Sequence, residues 1–279
     1  MKINLAKSAG FCFGVKRAID IAYKTLASHK NVYMLGDIVH NEEVVKKLEN
    51  AGIKKCGKLT CGKNKIFLIR AHGASLTLMN KAHKLNYEVI DATCPMVKEI
   101  HNIASQAESK GYTIIVIGEK EHDEVRGIIG QLKRKALVIV SPEDIPWKQI
   151  KKIKKAAVVV QSTQNIEKVT KIVDIFKPLI KDLKFFNTIC QPTRTKQKEM
   201  HCMPLENDMM IIIGSKSSAN TKRLYEISKS LNDRSYWVRS KKDIKPVWFK
   251  GVNSVGITAG ASTPDETTKE IIAYIKKIT

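Results

Sequence analysis

Short apolar runs rich in β-branched residues alternate along this chain with stretches whose apolar residues recur every three or four positions. The runs at 31–36 (NVYMLG), 65–70 (KIFLIR), 112–118 (YTIIVIG), 156–161 (AAVVVQ), 209–214 (MMIIIG) and 253–260 (NSVGITAG) read as strands. Helical periodicity covers 15–26, 42–52, 96–111, 166–179 and 223–231. A last helix opens on Thr263-Pro264-Asp265-Glu266, which reads as a capping box with proline at the first helical position. Strands alternating with helices predict an α/β fold with largely parallel sheets.

A fixed spacing organises this pattern. Cys12, Cys94 and Cys190 each begin a helical stretch, and a glycine ending an apolar run follows 24 residues later: Gly36, Gly118 and Gly214. Four residues past those glycines stand His40, His122 and Ser218; six past them stand Glu42, Glu124 and Asn220. A basic residue, Lys16, Lys98 or Arg194, lies four after each cysteine. A second run closes each unit and ends in a polar loop at 70–73 (RAHG), 161–163 (QST) or 258–263 (TAGAST). The chain reads as three pseudo-symmetric α/β units around one central site: 1–93, 94–187, and 188–279 with the C-terminal helix.

Composition changes this picture only a little. The 279 residues are 43% apolar and 6% aromatic, which fits a globular protein with a buried core. No apolar run approaches the roughly 18–20 residues that span a bilayer. The first residues lack a secretory apolar segment of about 7–15 residues, so a cytoplasmic protein without membrane contact is expected. Six cysteines are then not expected to form a disulfide framework. The formal charge of +22, from 49 Lys+Arg against 27 Asp+Glu, invites a nucleic-acid reading. Its distribution argues otherwise: the lysines are scattered, the densest block (147–155) is short, and no nucleic-acid-binding signature accompanies it.

In open α/β sheets ligands gather beyond the carboxyl ends of the strands, where every polar loop named above belongs. Three cysteines at equivalent positions would meet there, each near a helix N-terminus that favours thiolate. Structural zinc draws on four ligands, commonly from close-spaced pairs, and Cys56-x₄-Cys61 lies outside the repeat, as does Cys202. Three cysteines without a fourth suit an iron–sulfur cluster with one iron left for substrate. A catalytic zinc, in a hydrolase or lyase, fits the same trio. His40, His72, His122, Ser218, Asn220 and Ser262 are donors of the kind that hold phosphate oxygens. Ser218 and Asn220 equally suit helix capping. Glu124, in the loop of His122, is a candidate proton source.

The stretches at 9–18 (AGFCFGVKRA), 36–41 (GDIVHN), 70–73 (RAHG), 91–95 (DATCP), 122–125 (HDEV), 188–190 (TIC), 214–220 (GSKSSAN) and 258–265 (TAGASTPD) resemble the 4-hydroxy-3-methylbut-2-enyl diphosphate reductase (LytB/IspH) family. The likeness runs from near residue 3 almost to the C-terminus. It implies the last step of the non-mevalonate isoprenoid pathway, a reductive dehydroxylation giving isopentenyl and dimethylallyl diphosphates. It implies one 4Fe–4S cluster per chain on Cys12, Cys94 and Cys190, with one iron lacking a protein ligand. His40, His72, His122, Ser218, Asn220 and Ser262 become the diphosphate-binding set, and Glu124 the proton donor. The family's Gln-Thr-Thr segment falls on Gln161-Ser162-Thr163, which brings Ser162 and Thr163 near the substrate alcohol. An acidic electron donor of ferredoxin or flavodoxin type fits the basic charge; no nucleic acid is required. Three positions depart from the family pattern: Ala219 replaces a serine, Ser162 a threonine, and Asp123 a common proline.

Overall fold

A computed structural model describes residues 1–279. Along the chain it forms β1 (Lys2–Leu5), α1 (Phe13–Ser28), β2 (Val32–Leu35), α2 (Glu42–Asn50), β3 (Lys54–Cys56), β4 (Ile66–Ile69), α3 (Leu76–Lys84) and β5 (Glu88–Asp91). There follow α4 (Pro95–Ser109), β6 (Thr113–Ile117), α5 (Asp123–Ile129), β7 (Leu137–Ile139), α6 (Trp147–Ile150), β8 (Lys155–Val160), α7 (Ile166–Phe176) and β9 (Asp182–Phe185). The last part comprises α8 (Gln191–Glu206), β10 (Met209–Ile213), α9 (Ala219–Leu231), β11 (Ser235–Val238), β12 (Ser254–Ala259) and α10 (Asp265–Ile278).

The strands form three four-stranded sheets ordered β3-β2-β4-β5, β7-β6-β8-β9 and β11-β10-β12-β1. Every pairing is parallel, so the α/β reading stands. With β1 counted last in its sheet, all three share one strand order, second-first-third-fourth. The spacing puts residues 2–5 in the stretch 1–93; in the structure they pair with β12, Lys2 opposite Ser254, and complete the last sheet.

Central strands are apolar on both faces because helices cover both. In β6 and β8, Ile115, Ile117, Val158 and Val160 face Val169, Ile172 and Phe176 of α7. Their alternate neighbours Ile114, Val116, Ala157 and Val159 pack with Ile100 and Ala104 of α4 and Val125 and Ile128 of α5. That is the period-two division of a doubly covered sheet. In the last sheet Ile211, Ile213 and Ile257 pack with Ile271 and Ile275 of α10, and Met210 and Ile212 with Met200 of α8 and Leu224 of α9.

The chain packs as two compact units: Met1–Lys16, Val39–Lys46 and Gln191–Thr279 form one, and Arg17–Ile38 with Lys47–Cys190 the other. No helix is long and apolar enough to cross a membrane. The expected capping box before α10 does not form: Pro264 occupies the N-cap without a side-chain bond. The Thr263 hydroxyl instead donates to the carbonyl of Ile213 at 3.1 Å, which gives this buried hydroxyl a partner beside the Gly260 N–H that the same carbonyl already accepts.

Candidate active site

Each cysteine of the spacing repeat is half-buried at the start of a helix: Cys12 directly before α1, Cys94 at the N-cap of α4 and Cys190 directly before α8. Their backbone N–H groups share one kind of partner. Cys12 donates to Ala261 O at 3.1 Å, Cys94 to Ala71 O at 3.0 Å and Cys190 to Ser162 O at 3.0 Å. Each acceptor lies two residues past the end of a central strand, β12, β4 or β8 respectively. Each cysteine also follows the strand that borders that central strand at the sheet edge, β1, β5 or β9.

Chemically this donor set fits a thiolate-bound group. No disulfide joins any of the six cysteines, and the Val15 N–H points at the Cys12 sulfur, 3.4 Å away. A helix N-terminus with unsatisfied N–H groups stabilises a thiolate and an anionic cluster. The other cysteines behave differently. Cys56 donates to Met34 O at 3.6 Å and burial pushes its thiol pKa up, while Cys61 and Cys202 are exposed.

Within the unit that holds Cys94 and Cys190, Glu124 sits in the first turn of α5 and is only 2% exposed. Its carboxylate accepts the Ser162 N–H at 2.6 Å on one oxygen and the Ser162 hydroxyl at 2.8 Å on the other. Burial pushes its pKa above the ordinary carboxylate value, and these two hydrogen bonds oppose the shift without cancelling it. His122 caps α5, its Nδ1 accepting the Glu124 N–H at 3.2 Å, and its ring meets His72 edge-on with centroids 5.6 Å apart. Gln161 accepts the Glu119 N–H at 2.9 Å and donates to the Thr163 hydroxyl at 3.0 Å, which orients the segment carrying Ser162 and Thr163. Gly118 permits that approach: a Cβ there would lie 2.7 Å from Val125 and 2.9 Å from Gln161.

In the other unit, Ser218 caps α9 by accepting the Thr221 N–H at 3.3 Å, while its side chain remains at the buried helix mouth. Asn220 follows in the first turn, 4% exposed, and neither its amide oxygen nor its nitrogen has a hydrogen-bond partner. Two unsatisfied polar atoms in a buried side chain are costly unless a ligand completes them. The Ser262 hydroxyl donates to His40 O at 3.0 Å, tying the two polar loops together. Thus His72 with His122, Glu124 with Ser162, Gln161 with Thr163, and His40 with Ser262 are each brought together.

The LytB protein family matches this chain over residues 3–276. The 4-hydroxy-3-methylbut-2-enyl diphosphate reductase of Aquifex aeolicus is 40% identical over 280 residues, covering 99% of this chain and 96% of the relative. That of Geotalea uraniireducens is 37% identical over 278 residues, covering 100% and 98%. The chain belongs to the LytB family. A solved (E)-4-hydroxy-3-methyl-but-2-enyl diphosphate reductase, described as the terminal enzyme of the non-mevalonate pathway, is 39% identical. It superposes with a TM-score of 0.73 over 99% of this chain and 100% of its own. The Plasmodium falciparum reductase structure is 29% identical with a TM-score of 0.90 over 98% and 87%.

Against the LytB pattern, the Asp123 replacement does not leave a bare charge beside Glu124. Asp123 pairs with Arg70 at 2.7 Å, and that bridge ties α5 to the end of β4. Ser162 keeps the hydroxyl of the threonine it replaces and uses it on Glu124. Ala219 is buried and leaves that position with a backbone N–H alone.

Sequence reasoning missed Lys196 and Glu199 of α8. A signal was present: Thr193, Lys196, Gln197 and Met200 recur at helical spacing and are all buried, so α8 turns a largely polar stripe inward. Arg70 is named only as part of the 70–73 loop; its pairing with Asp123 across the fold leaves no mark in the spacing.

Proposed function

We propose that this chain is an oxidoreductase that removes the hydroxyl of 4-hydroxy-3-methylbut-2-enyl diphosphate with two electrons and two protons, giving isopentenyl and dimethylallyl diphosphates and water. One C–O bond breaks and one C–H bond forms. The observation that carries the reading is the threefold repetition at Cys12, Cys94 and Cys190, each with its N–H fixed to a strand end, in a LytB family member.

These three residues would hold a 4Fe–4S cluster, one per chain, with one iron lacking a protein ligand. When bound, the cluster supplies electrons and a Lewis-acidic iron for the alcohol oxygen. Glu124 keeps its proton above the ordinary carboxylate range and delivers it to the departing hydroxyl, directly or through Ser162 or Thr163. Asn220, with both amide atoms unsatisfied, offers donor capacity to the diphosphate, joined by His40, His72, His122, Ser218 and Ser262. An acidic ferredoxin- or flavodoxin-type protein supplies the electrons, matched to the +22 charge.

Anaerobic purification tests the reading. A brown protein with about four irons per chain, absorbing near roughly 400–420 nm and turning over the allylic diphosphate with a chemical reductant, is expected. A colourless protein carrying one zinc would overturn it.

A further inference from the structure

Lys196 is a lysine buried as deeply as the core: it is 2% exposed. Ammonium groups are rarely hidden so completely, because desolvation is costly unless every donor is met. Here every donor is met by backbone. Its Nζ donates to Ser8 O, to Gly10 O at 3.0 Å and to Ala259 O at 3.1 Å. Three N–H donors match three carbonyls, a coordination that no neutral side chain reproduces.

Two of those carbonyls belong to the loop between β1 and Cys12, and the third is the last residue of β12. One turn further along α8, Glu199 takes the other side of the loop. Its carboxylate accepts the Ser8 N–H at 3.2 Å and the Ser8 hydroxyl. Gly10, at φ +92°, offers its carbonyl to Lys196, and Cys12 follows two residues later with its own N–H fixed to Ala261. The loop is therefore held at Ser8, Gly10 and Cys12, and two of these three holds come from one helix face. Burial lowers the Lys196 pKa to about 8, and the opposing charges of Cys12, Glu199 and Asp265 resist that fall.

We propose that Lys196 is a positioning residue for Cys12: it clamps the loop that carries this cysteine and places a buried positive charge beside it that favours the reduced state of a cluster held there. The charge half rests on the cluster reading above; the clamp half does not. Glu199 is the counterweight, since it shares the clamp but carries the opposite charge.

The opposed charges give the test its sign. In the loaded protein, an electron-paramagnetic-resonance redox titration should show Lys196→Met with a reduced-to-oxidised ratio about tenfold lower at fixed potential, equivalent to about 59 mV for one electron. Glu199→Gln should shift the ratio the opposite way, and Lys196→Arg should keep it closer to wild type than Lys196→Met does. In the cluster-free protein, hydrogen exchange over residues 6–12 should rise in Lys196→Met while residues 92–98 around Cys94 stay unchanged. Unchanged exchange over 6–12 overturns the clamp. A potential that is unmoved, or that moves the same way in Lys196→Met and Glu199→Gln, overturns the charge role. If Lys196→Met fails to fold, Glu199→Gln carries both readouts: a reduced-to-oxidised ratio that does not rise overturns the charge role, and unchanged exchange over 6–12 overturns the clamp. Failure of the proposed function shows separately, as wild-type protein that takes up no iron.

Discussion

Replacing Glu124 by Gln isolates the buried carboxyl from everything else in its pocket. The amide is nearly isosteric, its oxygen can keep the Ser162 N–H, and the Ser162 hydroxyl can reverse to accept from the new NH₂ group. Little packing or hydrogen bonding is lost, so the variant differs mainly in being unable to ionise. In wild type the folded state holds the Glu124 proton to higher pH than the unfolded chain does, because burial lifts the folded pKa. Stability must then fall as pH rises from the ordinary carboxylate range towards the raised folded value, with a slope of at most about 1.4 kcal/mol per pH unit for one proton. Below that window the two proteins should be of similar stability; above it Glu124→Gln should be the more stable. At about 2–4 °C per kcal/mol for a chain of this size, the divergence is readily seen by thermal unfolding of cluster-free protein as pH is raised from the ordinary carboxylate range. The same variant should keep the visible spectrum of the loaded protein while turnover falls about 10²-fold or more. A gap in melting temperature that stays constant across this range would refute the raised carboxyl, and full turnover would refute its role as acid.

Asp123→Asn removes the partner of Arg70 from a bridge whose side chains are 18% and 23% exposed. It should cost about 1 kcal/mol in urea unfolding, with the loss shrinking at high salt. Gly118→Ala should lower the urea midpoint by the equivalent of about 1–3 kcal/mol, because its Cβ has no room between Val125 and Gln161. Asn220→Leu removes two unsatisfied buried atoms at similar volume, so the ligand-free protein should gain about 1 kcal/mol while the KM for the diphosphate substrate rises about tenfold or more. A variant that is both less stable and kinetically normal would contradict that account.

The six strands read from sequence, β2, β4, β6, β8, β10 and β12, are all interior to their sheets, and the six left unread are all edges. The reason is burial. Interior strands such as Met209–Ile213 are buried at every position and announce themselves as unbroken apolar runs. An edge strand has no need of such a run: Lys54–Cys56 is a KKC strand and Glu88–Asp91 an EVID strand, each with only partial cover. The candidate site is read from the same kind of signal, where spacing repeats. Cys94, Glu124 and Ser218 recur at fixed distances from glycines that end interior strands. Lys196 was not readable, because its partners are backbone carbonyls, which leave no mark in side-chain pattern. Thr263 misled because a cap and an inward hydroxyl demand the same residue type.

The parallel pairing of Lys2–Leu5 with Ser254–Ala259 has a consequence for how the protein is made. During synthesis β1 emerges long before its neighbour β12 exists, whereas the other two sheets draw all their strands from nearby sequence. Such long-range closure is slow and comes late. Cys12 follows that waiting strand, so its final bond to Ala261 forms only after the last strand is in place. A nascent chain that ends before β12 can complete the surroundings of Cys94, whose partner Ala71 is already made, but not those of Cys12, whose loop waits for the last sheet to close.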